Sequence, residues 1–271
     1  MGSSSLQTSI VQVNGYKLSI IPNDTGISSE LLMFKTHEPI TTKLISKKLT
    51  SGMICLDIGS NIGYYALLEH KLVGKEGKVI AIEPSPLNFQ YLQKNIKLQD
   101  TNNILCYNFA AGNKNGETKF LIYAESNGCM TIPDGEEAKF PGKVIKVPVK
   151  QIDTFLDEIK LEKVDFVRMD VEGYENYIFE GMQNTLKTHK PIIQIEVHIN
   201  LMGKENSKKF LKMLQLNNYE VTYYIPRAFD VPIIGTLKDV KNFKINELLQ
   251  MLEKNSLPSF FMLILDHSSK I

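Results

Sequence analysis

From residue 53 onward, short uninterrupted apolar runs alternate with stretches of helical periodicity, and this alternation constrains the fold more than any other feature of the chain. The runs cover residues 53–56, 79–82, 104–109, 164–169 and 192–197. A strand with one wet face alternates apolar and polar side chains. These runs do not, so each is expected to be buried on both faces, as in a parallel sheet covered by helices. Helices are predicted over 64–73, 87–98 and 174–187. In the last of these Tyr174, Ile178, Met182 and Leu186 share a face, and His189-Lys190-Pro191 supplies a basic last turn and a stop. A further helix is predicted over 207–216. There follow a strand over 220–225, an irregular stretch with Pro226 and Pro232, and a helix with Ile245, Leu248, Leu249 and Leu252 at core spacing. The last apolar run covers 260–265. The pattern predicts a doubly wound α/β sheet with two extra strands at its end.

Two regions break the rhythm. Residues 1–50 form a preface, with a hairpin over 9–13 and 16–21 turning on Asn14-Gly15, then a helical segment over 41–49. Residues 117–149 form a β insertion, with strands over 118–123 and 144–149 flanking a loop at 125–141 rich in turn formers. Such long loops usually serve function or move. The domain division is therefore a preface at 1–50 and a core domain at 51–271 that carries the insertion.

Composition removes several classes of function. At 271 residues, 43% hydrophobic and 23% charged, the chain can bury one large α/β core. A net charge of +1 argues against a protein built to neutralise nucleic-acid phosphates, and Lys208, Lys209 and Lys212 read as a solvated helix face. Cys55, Cys106 and Cys129 have no CxxC or metal-ligand spacing, which suits a reducing compartment. No apolar run approaches the roughly 20 residues of a membrane span. The opening Met1-Gly2-Ser3-Ser4-Ser5 has no apolar signal core, so a cytoplasmic address is expected.

Directly after the first run comes Asp57-Ile58-Gly59-Ser60-Asn61-Ile62-Gly63, opening a helix. A strand, a glycine turn and a helix N-terminus together aim backbone N–H groups at a ligand. Glu83 ends the second strand, 26 positions after Asp57. An acid there can accept both hydroxyls of a ribose, so a ribosyl cofactor is expected, either NAD or S-adenosylmethionine. At the end of the third strand, Phe109 is placed to pack against the base, and small Ala110 leaves backbone groups accessible.

Several motifs then agree in order with one known family. The segment DIGSNIGYY resembles the first motif of FkbM-family methyltransferases, and Glu83-Pro84-Ser85-Pro86 resembles the E-P that follows their second strand. Residues 87–95 resemble the family's F-x-x-L-x-x-N helix. Val147-Pro148-Val149 with Gln151-Ile152-Asp153 resembles its approach to the fourth strand. The most specific likeness is Val167-Arg168-Met169-Asp170-Val171-Glu172-Gly173-Tyr174-Glu175, close to K-I-D-V-E-G-x-E, and Ile195-Glu196-Val197-His198 resembles the acid-plus-His end of the fifth strand. The lead-in from Asp24 to Pro39 is also similar, so the resemblance covers about residues 20–220. Ser60 stands where alanine is usual and Arg168 where lysine is usual; arginine keeps the charge but not the geometry.

The resemblance implies a Rossmann-like class I methyltransferase: a mostly parallel seven-stranded sheet, its last strand antiparallel, with helices on both faces. It implies S-adenosylmethionine as cofactor, S-adenosylhomocysteine as product, and an acceptor hydroxyl on a small molecule, sugar or lipid. The expected cofactor residues are Glu38, Asp57, Gly59, Ser60, Asn61, Gly63, Glu83, Pro84, Ala110 and Asp170. Glu38 is expected to close over the cofactor with Thr41 or Thr42. Loss of the acceptor proton needs a base, for which Glu172 and His198 are the candidates; Asp170 serves the cofactor's methionine end or the acceptor. Glu196 is expected to make an internal hydrogen bond. No metal is expected. A divalent ion on Asp170 and Glu196, as in catechol-type methyltransferases, is the weaker alternative because no adjacent Asp-Asn pair is present. Rival readings are an RNA (tRNA-type) methyltransferase, disfavoured by the near-neutral charge and the absence of an NPPY-like motif, a non-catalytic cofactor-binding protein, and an NAD enzyme, which lacks a hydride-transfer constellation.

Overall fold

The computed structural model describes residues 9–123, 126–132 and 141–270. The chain opens with the hairpin β1 (Ile10–Val13) and β2 (Tyr16–Ser19), then α1 (Ile27–Phe34) and α2 (Pro39–Lys48). The core begins with β3 (Ile54–Ile58), α3 (Tyr64–Val73), β4 (Lys78–Ile82), α4 (Pro86–Lys97) and β5 (Ile104–Tyr107). The insertion contributes β6 (Ala110–Gly112), β7 (Gly116–Tyr123), β8 (Cys129–Thr131) and β9 (Gly142–Gln151). The core resumes with α5 (Ile152–Glu158), β10 (Phe166–Met169), α6 (Glu175–Gly181), α7 (Gln183–Thr188), β11 (Ile192–His198) and α8 (Ile199–Leu216). It ends with β12 (Tyr219–Pro226), α9 (Ile245–Glu253) and β13 (Phe260–His267).

The main sheet has seven strands in the order β12-β13-β11-β10-β3-β4-β5. Strands β11, β10, β3, β4 and β5 run parallel, and β13 is antiparallel to both of its neighbours. This is the Rossmann-like class I methyltransferase sheet. Successive side chains of a strand point to opposite faces, and the core is divided accordingly. Leu56, Ile58, Ile80 and Ile82 join one apolar cluster with residues of α5 to α9. Cys55, Val79 and Ala81 join a second cluster with α2, α3, α4 and the hairpin, so the preface shares the core of the sheet. No helix among the described residues is long and apolar enough to cross a membrane.

Several boundaries differ from the sequence reading. The expected third strand over 104–109 stops at Tyr107, and Ala110–Gly112 leaves the main sheet to pair in parallel with β9. The single helix expected over 174–187 is two helices broken at Met182. Gly181 approaches the β6 backbone so closely that a Cβ there would lie 2.0 Å from the Gly112 carbonyl oxygen. The Asp153 carboxylate then accepts the backbone N–H groups of Asn184 and Thr185 at 2.8 and 2.9 Å and starts a new helix. The helix expected from 207 begins at Ile199 and kinks at Gly203. Helices α1 and α5 had no sequence prediction.

The two strands expected in the insertion form its centre, β7 antiparallel to β9 from Gly116↔Val149 to Tyr123↔Gly142. Of the loop expected at 125–141, residues 125 and 133–140 lie outside the described residues, and part of the rest is a third strand, β8, paired with β7. On the surface, Lys208 pairs with Glu253 and Lys209 with Glu180, the solvated helix face read from the sequence.

Candidate functional site

The chain winds outward from β3 through β4 to β5, then returns to β10 on the other side of β3. Where the direction of winding reverses, the loops leaving two adjacent strands diverge and open a crevice at their carboxyl ends. The turn after β3, Glu83 after β4, and Asp170 with Glu172 after β10 all lie at this edge.

The turn is built by left-handed backbone at Gly59 (φ 84°), Asn61 (φ 51°) and Gly63 (φ 95°). A Cβ on Gly59 would lie 2.0 Å from the Asp170 carbonyl oxygen, so only glycine lets the ends of β3 and β10 meet. Glu83 is 2% exposed, and its carboxylate accepts the backbone N–H groups of Asn61 and Ser85, both at 2.8 Å. Burial pushes its pKa up to about 7, against the pull of those two hydrogen bonds. Gly59, Asn61, Glu83, Pro84, Ala110 and Asp170 line a cleft of about 580 Å³, open solvent included, together with Phe120 and Cys129 of the insertion.

Four expected cofactor residues, Asp57, Gly63, Ser60 and Glu38, do not line this cleft. Asp57 is fully buried beneath the turn, where its carbonyl accepts the Ser60 hydroxyl at 2.9 Å and its carboxylate stands 3.5 Å from Arg168 Nη1. Gly63 opens α3 and packs on α4, where a Cβ would meet Leu92 Cδ1 at 2.8 Å. Ser60 lines a neighbouring cleft. Phe109 also turns into the core, edge-on to Phe155 with ring centres 4.8 Å apart.

The neighbouring cleft encloses about 1170 Å³ open to solvent and shares Asn61, Gly128, Asp170 and Glu172 with the first. His37, Glu38, Arg168, Glu196, His198 and Arg227 complete its polar lining, with Tyr123 and Asn127 of the insertion at its rim. His198 Nδ1 is 2.7 Å from Glu175 Oε1, and its Nε2 is 3.8 Å from Glu172 Oε2 and 3.9 Å from Glu196 Oε1. Burial disfavours the imidazolium, but the hydrogen bond and charge of Glu175 outweigh it and push His198 up to about 10. Glu172, held by a left-handed backbone (φ 53°), is raised to about 7 by burial, with Asp170 and Glu175 adding to the rise and His198 opposing it. Glu196 is raised to about 8, again by burial and then by Asp170 and Glu38. Contrary to expectation Glu196 makes no hydrogen bond among the described residues; its nearest cation there is Arg227 Nε at 3.5 Å.

Glu38 also has a left-handed backbone (φ 44°) at the start of α2, where it accepts the Tyr65 hydroxyl at 2.6 Å and lies 3.3 Å from His37 Nε2. Burial would raise its pKa, yet His37, Arg227 and Arg168 hold it well below the usual carboxylate range. His37 is raised to about 9, since Glu38 and Glu30 outweigh its burial. Thr41 and Thr42 do not close over the cleft with Glu38. Thr41 is fully buried against Asp230, and Thr42 bonds the His37 carbonyl and the Tyr64 hydroxyl.

The sequence reading gave no role to Arg227, Glu175, Tyr65 or His37. One signal was present for the first. Only two of the 31 basic residues are arginines, and both Arg168 and Arg227 point into this site. Arg168 is 4% exposed, donates to the Gly59 carbonyl at 2.8 Å and to Asp170 Oδ2 at 2.9 Å, and lies 4.5 Å from the Tyr65 ring centre. Five-donor planar guanidinium suits such bridging where the point charge of lysine does not.

The family model described as the methyltransferase FkbM domain matches residues 57–221. Among curated proteins, the hexuronic acid methyltransferase AglP of Haloferax volcanii is 24% identical over 167 residues, 61% of this chain and 64% of that protein. Methyltransferase 1 of Beauveria bassiana is 23% identical over 145 residues, 48% of this chain and 58% of that protein. The chain thus spans about three fifths of the length of the curated relatives it matches. Among solved structures, methyltransferase FkbM of Methylobacillus flagellatus is 21% identical with a TM-score of 0.44, over 64% of this chain and 40% of that one. Fibrillarin of Aeropyrum pernix with bound S-adenosyl-L-methionine is 12% identical with a TM-score of 0.48, over 97% and 84%. Both scores are below 0.5, and the fold assignment rests on the strand order described above.

Proposed function

The chain belongs to the FkbM methyltransferase family, and on that premise we propose that it moves the methyl group of S-adenosylmethionine to an acceptor hydroxyl, releasing S-adenosylhomocysteine. One observation carries the reading. A cleft walled by the glycine turn and Glu83 opens, at Asp170 and Glu172, into a second cleft lined by acids, arginines and His198.

The first cleft suits the cofactor in its chemistry. The Glu83 carboxylate accepts one backbone N–H on each oxygen and a further side-chain hydrogen bond from Asn88, which leaves one acceptor site for a ribose hydroxyl. Asn61, Pro84 and Ala110 would border the adenosine, while Asp170 and Glu38 would hold the methionine end. When bound, S-adenosylmethionine supplies a sulfonium methyl that an oxygen nucleophile can take, the electron pair remaining on sulfur.

Glu172 borders both clefts, its side chain is 34% exposed, and it makes no hydrogen bond among the described residues, so it would take the acceptor hydroxyl proton at a carboxylate oxygen. Glu175 holds the His198 ring from behind, and His198 positions Glu172. In-line displacement depends chiefly on such positioning. The proposed acceptor is a small molecule, glycan or lipid, the glycan case being supported by the hexuronic acid methyltransferase among the relatives. Three free cysteines suit a cytoplasmic address.

Calorimetry with S-adenosylmethionine, S-adenosylhomocysteine and NAD tests the cofactor, and methyl-labelled cofactor with a panel of hexuronic acids, sugars and lipids tests the acceptor. The expected result is binding of both sulfur compounds without NAD, and label on an acceptor oxygen. Binding of NAD alone would refute the reading.

A further inference from the structure

Asp170, Glu196 and His198 form a group of ligating side chains in which one donor atom from each lies within 4.8 Å of the others. The sheet fixes this arrangement. Met169 of β10 is in register with Ile195 of β11, so Asp170 and Glu196 follow as neighbours across two parallel strands. His198 lies two positions further along β11, on the same face as Glu196. We infer that these three side chains bind a divalent metal ion at the acceptor end of the site.

The histidine carries the argument beyond a cluster of acids. His198 is 6% exposed, and with Nδ1 committed to Glu175 its Nε2 has no hydrogen-bond partner among the described residues. That nitrogen instead faces Glu172 and Glu196 at 3.8 and 3.9 Å. A metal-bound histidine usually gives its other ring N–H to a carboxylate, which fixes the tautomer and aims the free nitrogen at the ion. Glu175, itself fully buried, stands in that relation to His198.

The remaining ligands are available. Asp170 gives Oδ2 to Arg168 and keeps its second oxygen, while Glu196 makes no hydrogen bond among the described residues. Donor atoms bound to one ion at about 2.1 Å stand roughly 3–4.2 Å apart, so the observed spread closes by side-chain rotation. Charge points the same way. An ion on Nε2 displaces the proton that the surrounding carboxylates hold on the His198 ring, and with His198 then neutral, Glu38, Asp170, Glu172, Glu175 and Glu196 outnumber Arg168, Arg227 and His37, while Asp57 draws further on Arg168. A dication offsets that excess.

The imidazole favours a first-row transition ion over Ca²⁺ or Mg²⁺, and Mn²⁺, which carboxylates also suit, serves as a paramagnetic probe of the site. Three protein ligands leave coordination positions open toward the larger cleft, where an acceptor hydroxyl bound to the ion would lose its proton more readily. This use of the ion, though not its binding, rests on the methyl-transfer reading.

The test uses the intact chain and Mn²⁺ alone, followed by electron paramagnetic resonance. One ion per chain is expected, with spin-echo modulation from a directly bound nitrogen. Glu196→Gln and His198→Ala should each weaken binding at least about tenfold, and His198→Ala should abolish the nitrogen modulation. Thermal unfolding of each variant confirms that it folds, and the nitrogen signal of the parent protein stands independently of any variant. No bound Mn²⁺, or bound Mn²⁺ with no nitrogen coupling and no response to Glu196→Gln, overturns the inference. Calorimetry with S-adenosylhomocysteine on the same samples separates the two readings. Cofactor binding without Mn²⁺ binding removes the ion alone, whereas Mn²⁺ binding without cofactor binding supports the ion and removes the methyl-transfer reading.

Discussion

Replacing Glu83 with glutamine should move stability and cofactor affinity in opposite directions. The parent carboxyl is 2% exposed, and burial raises its pKa from 4.5 to about 7. A carboxyl whose folded pKa is raised loses stability as pH rises through the unfolded value, and the loss is complete above the folded value. The window here is therefore about pH 4.5 to 7, and the shift corresponds to about 3 kcal/mol against the folded state at alkaline pH. Glutamine keeps the shape without that penalty, although its amide nitrogen cannot accept one of the two backbone N–H groups that the carboxylate accepts. The unliganded variant should thus be as stable as the parent, or more so, at about pH 8. S-adenosylhomocysteine should bind it more weakly by about 1.5–3 kcal/mol, the worth of one hydrogen bond to a charged group, or roughly 10- to 150-fold in Kd. In the parent, affinity should rise with pH through about 7 as Glu83 ionises, with Asp57 the charged neighbour opposing that ionisation. In Glu83→Gln the profile should flatten. Isothermal titration calorimetry at about pH 5.5 and about pH 8.5, paired with thermal unfolding, reads both quantities. A variant that binds S-adenosylhomocysteine as tightly as the parent, with the same pH profile, would refute the placement of the ribose at Glu83.

Three further predictions address other parts of the molecule. Glu172→Gln should lower turnover by about 10²–10⁴-fold with S-adenosylhomocysteine affinity unchanged, and full activity would remove Glu172 as the base. Asp230 accepts the backbone N–H groups of Ile40 and Thr41 at 2.6 and 3.1 Å, capping α2 from 190 residues away while the Glu38 side chain is engaged by Tyr65. Asp230→Ala should cost about 1–3 kcal/mol in denaturant unfolding, and an unchanged midpoint would deny the cap a structural role. Glu69 is fully buried in α3 with neither carboxylate oxygen hydrogen-bonded among the described residues, and burial, then Asp57, raises its pKa well above the ordinary value. The parent should therefore lose stability as pH rises above about 4.5, and the Tm advantage of Glu69→Leu should widen with pH; an advantage that shrinks would contradict the assignment.

The sequence by itself determined the sheet and the crevice at its edge, because both depend on short-range chemistry. An unbroken apolar run reports a strand buried on both faces wherever it lies, and residues 53–56, 79–82 and 192–197 fall within or beside β3, β4 and β11. The glycine turn and Glu83 were legible because one is a contiguous segment and the other ends the next strand. Only the tertiary structure decided which of those residues face the cleft. Asp57 and Gly63 carry the motif yet lie beneath it, since the same turn must pack on α4 and seat Arg168. The break at Met182 depended on Gly181 meeting a strand about 70 positions earlier, a contact that helical periodicity does not encode. The polar end of the site was legible only in part. Glu38, Glu196 and His198 were singled out in the sequence, but Glu175 and Arg227, from the start of α6 and the end of β12, were given no role, since each looks ordinary alone. The charges of all five acquire chemical meaning only when folding buries them within a few ångströms of one another, where low polarity strengthens every pairing and penalises every charge left without one.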